Sequence, residues 1–206
     1  VKALAAPAET NLVFLQDTDW NDNGVVDRLE TIKSVPGVTP SKDLRISGRY
    51  VHCSQGTLTG DKWITIFGYF ASTSDGICLF SSSDKLKFNN PPTRDGPNVT
   101  VGGVYDFSTS GASLTVNGST FGSSATYSCS QSPDLPLFAF YAPNHGGYIT
   151  CNSHVRLCSF RIDDGDTTLR DFVPVLDSSG VACFYDLVEK KYHYNAGGGS
   201  FTAGPV

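Results

Sequence analysis

Short runs of β-branched and aromatic residues recur along most of this chain, each closed by Gly, Pro, Asn, Asp or Ser. That punctuation constrains the fold more than any other feature. A strand is complete within a few residues, whereas a helix needs a longer run free of such breaks. Glu, a strong helix former, occurs only at Glu9, Glu30 and Glu189. The runs predict strands near 44–50, 62–70, 76–80, 85–88, 99–107, 112–116, 135–141, 155–162, 169–175, 181–187 and 191–194. Their spacing is that of a two-sheet antiparallel sandwich. The sharpest reversal is Asn117-Gly118, because both residues tolerate the positive φ that a two-residue hairpin turn demands. Asp75-Gly76, Asp164-Gly165 and Ser179-Gly180 read as looser reversals.

Residues 17–34 break the β pattern. Asp19-Trp-Asn21-Asp-Asn23-Gly24-Val25-Val26-Asp27-Arg-Leu-Glu30 matches the twelve-residue calcium loop at every specified position. Asp19, Asn21 and Asn23 would present side-chain oxygens on alternate residues to a Ca²⁺ ion, and Gly24 would permit the turn. Val25 would offer its carbonyl, Asp27 would bind directly or through water, and Glu30 would close the sphere with both oxygens. Two Asn in place of Asp leave less negative charge around the ion and predict a weaker site. The competing reading is a metal-free, Asx-rich loop that caps a short helix over 26–33, stopped by Pro36-Gly37. The organisation expected is a segment over 1–36 with the calcium loop, then a sandwich over 37–206.

The chain has 206 residues, 39% of them hydrophobic, enough for one sizeable β core. A net charge of −5 with scattered Lys and Arg argues against nucleic acid as a partner. No apolar run is long enough to span a bilayer as a helix. The six cysteines point to disulfides and an oxidising, extracellular compartment, with buried free thiols as the alternative.

No catalytic residues are assigned, and the chain is expected not to be an enzyme. Sandwich glycosidases need a carboxylate pair across the scissile bond. Here the Glu residues are far apart in sequence, and Asp163, Asp164 and Asp166 surround Gly165 as a turn. There is no G-x-S-x-G elbow. His52, His145, His154 and His193 are dispersed, and strand alternation sends Cys151 to the face opposite His154 and Cys158. For a sugar ligand the best segment is Tyr141-Ala-Pro-Asn144-His145-Gly-Gly-Tyr148. Two Tyr rings would supply apolar platforms there, and Asn144 and His145 would hydrogen-bond hydroxyls. The plainer reading packs Tyr141 and Tyr148 into the core.

Arg156-Leu-Cys-Ser-Phe-Arg-Ile162, Thr168-Leu-Arg-Asp-Phe-Val-Pro-Val175, Gly180-Val-Ala-Cys-Phe-Tyr-Asp186 and Phe201-Thr-Ala-Gly-Pro205 carry a family resemblance. Together they resemble the C-terminal half of LamG-like, concanavalin A-like jelly-roll domains in bacterial and phage surface proteins. Val116-Asn-Gly118 and Leu137-Phe-Ala-Phe140 with Asn144-His-Gly-Gly147 are similar to elements of the same family. The resemblance implies two stacked antiparallel sheets and a secreted or cell-surface recognition role, toward a glycan or a surface protein. The calcium segment and most of the cysteines depart from the family pattern. The alternative is a structural subunit of a filament or phage fibre. In it, the arm at Leu12-Val-Phe-Leu15 would join a neighbouring copy's sheet and make a homo-oligomer.

Overall fold

The computed structural model describes residues 15–17, 44–53, 64–72, 75–82, 84–89, 93–122, 135–142, 147–150, 155–194 and 201–203. All the regular structure among them is strand: β1 Leu15–Asp17, β2 Leu44–His52, β3 Ile64–Ser72, β4 Asp75–Ser82, β5 Lys85–Asn89, β6 Thr93–Asn98, β7 Val104–Ser110 and β8 Ser113–Val116. There follow β9 Ser119–Phe121, β10 Ala139–Ala142, β11 Gly147–Thr150, β12 Val155–Asp164, β13 Thr167–Leu176, β14 Ala182–Asp186, β15 Lys191–His193 and β16 Phe201–Ala203. The calcium-loop residues 19–30 and the expected helix over 26–33 lie outside the described residues.

One sheet runs β15-β14-β13-β12-β2-β7-β8-β9, with β1 pairing β12 and β16 beside that path. The other runs β11-β10-β3-β4-β5-β6. Alternation fixes which side of the first sheet faces the core. In β7, Tyr105, Phe107 and Thr109 are buried while Val104, Asp106, Ser108 and Ser110 are exposed. Rings from the two sheets meet in the middle: Phe67 of β3 lies 5.8 Å from Phe160 of β12 and 6.3 Å from Phe107. Each such fully buried ring contributes about 1.5–3 kcal/mol through removal of apolar surface from water. The result is an all-β arrangement of two largely antiparallel sheets sharing one core.

Besides strands that the runs did not predict, such as β6, three details differ from the sequence expectations. The run over 99–107 is not one strand, because β6 ends in one sheet and β7 begins in the other. Gly102 at φ +80 makes the turn between them, and Thr100 N–H is caught by the Tyr105 hydroxyl at 2.8 Å. Gly76 lies inside β4 rather than in a reversal. A Cβ there would stand 2.7 Å from the Tyr69 carbonyl oxygen, so the glycine serves close strand approach. The sheets are not wholly antiparallel either, since β10 joins β3 in parallel at Tyr141↔Tyr69. Just upstream, Leu137 makes an antiparallel bridge to Phe67. Phe138, at φ +58, redirects the chain between the two. That left-handed conformation strains a bulky residue. It is held by a hydrogen bond from Phe138 N–H to Ile66 O (2.8 Å) and by packing of the ring on Phe184 and Phe201.

Candidate functional site

The expected ligand loop is the connection of a hairpin. In β10 and β11, Ala142 pairs with Gly147, Tyr141 with Tyr148 and Phe140 with Ile149. The two tyrosines proposed as platforms therefore occupy directly opposed positions at the base of the loop. Tyr141 is half-buried, and its ring lies 6.3 Å from that of the fully buried Tyr69, nearly parallel at 12°. One face of Tyr141 is thus committed to the sandwich. Asn144 and His145 lie outside the described residues.

The chain enters the expected calcium loop from a strand. Leu15 pairs with Leu157 of β12 on one side and Ala203 of β16 on the other, and Asp17 pairs with Phe201. The potential ligands Asp19, Asn21, Asn23, Val25, Asp27 and Glu30 lie outside the described residues. Their assignment to Ca²⁺ rests on the loop motif.

A second constellation, which the sequence reading passed over, lies on the inward face of the β13-β14-β15 edge. Phe184 of β14 packs in the core and pairs with His193 of β15, so His193 faces inward. Asp186, two residues beyond Phe184, faces the same way and is fully buried. The turn between β14 and β15 is closed by Lys190 N–H to Asp186 O at 2.8 Å, with Lys190 at φ +58, and it carries Glu189. Asp186 Oδ1 accepts the N–H groups of Asp171 (3.1 Å) and Val188 (2.9 Å). Its Oδ2 lies 3.5 Å from Arg170 Nε. Arg170 Nη2 reaches Glu189 Oε1 at 2.7 Å. Glu189 Oε2 lies 3.8 Å from His193 Nε2 and 3.8 Å from the exposed Lys191 Nζ. The His193 ring stands edge-on to Phe172 at 5.2 Å. Burial lowers the imidazole's pKa against the opposing pull of Asp186 and Glu189, which favours the neutral ring.

Cys53, Cys158 and Cys183 are free thiols, and Cys129 and Cys151 lie outside the described residues. Burial pushes Cys158 and Cys183 up to about 11 and Cys53 upward, so none of the three is an activated nucleophile. His154 is likewise outside the described residues, while Cys158 is the extra residue of a β-bulge facing β2. No helix among the described residues is long and apolar enough to cross a membrane. Set against family models, curated proteins and solved structures, the chain matches none.

Proposed function

We propose that this chain is an extracellular, non-catalytic recognition module that binds carbohydrate through the β10–β11 hairpin, with a structural Ca²⁺ in the Asp19–Glu30 loop. In this reading the sandwich has jelly-roll connectivity and serves as the rigid frame. The observation that carries the proposal is the pairing of Tyr141 with Tyr148 on either side of a short Asn144- and His145-bearing connection. A sugar's apolar face would lie against tyrosine, and its hydroxyls would find the amide and imidazole. Loops on a packed β scaffold are the usual carriers of such recognition. The assembly alternative would need the arm's backbone to pair with a second copy. Leu15 and Gln16 already pair on both sides within their own sheet, which favours the recognition reading.

Glycan-array binding of the full chain, in calcium and in chelator, tests the proposal. Retention of a defined glycan set is expected, with Asn144→Ala and Tyr148→Ala each weakening it. An array on which the calcium-loaded chain retains nothing would remove the carbohydrate reading.

A further inference from the structure

Each carboxylate of the β14–β15 turn is anchored by hydrogen bonds or a close ion pair at one oxygen, while the other faces only a more distant cation, Arg170 Nε at 3.5 Å from Asp186 Oδ2 and Lys191 Nζ at 3.8 Å from Glu189 Oε2. Two main-chain N–H groups hold Asp186 Oδ1, and Arg170 holds Glu189 Oε1. One donor atom from each of Asp186, Glu189 and His193 lies within 4.8 Å of the others. Asp186 Oδ2 and His193 Nε2 are both buried, and neither makes a hydrogen bond among the described residues. The 3.8 Å from His193 Nε2 to Glu189 Oε2 is too long for one. Buried polar atoms without a hydrogen-bond partner are rare and ask for an explanation.

We propose that Asp186, Glu189 and His193 bind a first-row divalent metal ion, with zinc the best match. Two carboxylate oxygens and one imidazole nitrogen make a three-ligand set that leaves a fourth position to water, as mononuclear zinc sites do. Tetrahedral bonds of about 2.0–2.1 Å place donor atoms roughly 3.4 Å apart. The Glu189–His193 pair is already near that value. Glu189 sits on a turn and is 28% exposed, which leaves it room to move inward. Arg170 and the Asp171 and Val188 amides would act as outer-sphere anchors that aim the ligands. Calcium fits poorly, because it takes six to eight oxygens and this site offers a nitrogen and two carboxylates. The site is therefore chemically distinct from the Asp19–Glu30 loop.

Calorimetric titration of the full chain with Zn²⁺, in calcium-containing buffer after chelator treatment, tests the assignment. One Zn²⁺ is expected to bind, with Glu189→Gln and His193→Gln each weakening it roughly tenfold or more. Glu30→Ala is expected to bind Zn²⁺ like the parent. Co²⁺ added instead should give visible absorption bands that both variants lose. If His193→Gln fails to fold, Glu189→Gln decides alone, because its side chain lies on a half-exposed turn. No uptake by the parent, or uptake unchanged in Glu189→Gln, overturns the proposal.

Discussion

Gly48 of β2 lies against Ser159 of β12 so closely that a Cβ on the glycine would collide with the Ser159 carbonyl oxygen. The approach follows from the bulge at Cys158, which shifts the β12 register between Leu157 and Ser159. The other side is tight as well, with Phe107 Cζ at 3.1 Å from the same point. Gly48→Ala must therefore push apart two central strands of the larger sheet. A loss of about 1–3 kcal/mol is expected in urea unfolding. Stability within about 0.5 kcal/mol of the parent would show that the strands yield without cost.

The β8–β9 turn gives a second test. Asn117 and Gly118 adopt φ +47 and +81, the left-handed pair that the sequence predicts. Asn117 does more than tolerate that conformation. Its Oδ1 accepts Asp106 N–H at 2.8 Å, and its Nδ2 donates to Val104 O at 3.3 Å. Asn117→Gly keeps the backbone freedom and loses these bonds, whereas Asn117→Ala loses both. The alanine variant is expected to cost about 1–2 kcal/mol and the glycine variant less. Equal urea midpoints for the two variants, both below the parent's, would mean that the hydrogen bonds, not the left-handed backbone, hold the turn.

Where local chemistry decides the structure, the sequence was legible. The alternation in β7, the Asn117-Gly118 turn and the Gly165 turn (φ +57) are each set by a few adjacent residues. β6 was missed because Thr-Arg-Asp-Gly-Pro-Asn reads as a turn. Pro97 is tolerated because β6 is an edge strand. Gly96 is useful there because a Cβ would stand 3.1 Å from Leu86 O. The parallel joining of β10 to β3 depends on a left-handed Phe138 that packing imposes, and no local pattern announces it. In the candidate site the loop between Tyr141 and Tyr148 was visible from composition, but their direct opposition depends on register. The Asp186–Glu189–His193 cluster was overlooked for the same reason. Its strands were expected, yet only the Phe184↔His193 register brings His193 to the Asp186 face.

The proposed calcium loop makes its own prediction. An ion that binds only the folded chain stabilises it by mass action, by about 2.7 kcal/mol at a hundredfold excess over Kd. Removing the proposed bidentate ligand with Glu30→Ala should therefore lower the melting temperature in calcium and barely change it in chelator. Thermal unfolding of parent and variant in both buffers measures this. Equal losses in the two buffers would mean that Glu30 stabilises the fold without a metal.

His52 predicts a pH dependence of stability. It is 1% exposed at the end of β2, its ring is edge-on to Tyr50 at 6.4 Å, and its Nδ1 has no hydrogen-bond partner among the described residues. Burial lowers its pKa, and the nearby Asp84 only partly opposes the shift. The unfolded chain thus takes up this proton near pH ~6.5, while the folded chain resists it until lower pH. The stability contributed by the neutral ring is complete above the unfolded pKa. It falls as pH drops below that value, until the folded form is protonated as well. His52→Phe keeps a buried ring and removes the titration, so its melting temperature should fall less than the parent's between about pH 7.5 and 5. His193 and the carboxylates are common to both proteins and cancel in the difference. Parallel curves for parent and variant across that range would mean that His52 is as readily protonated folded as unfolded.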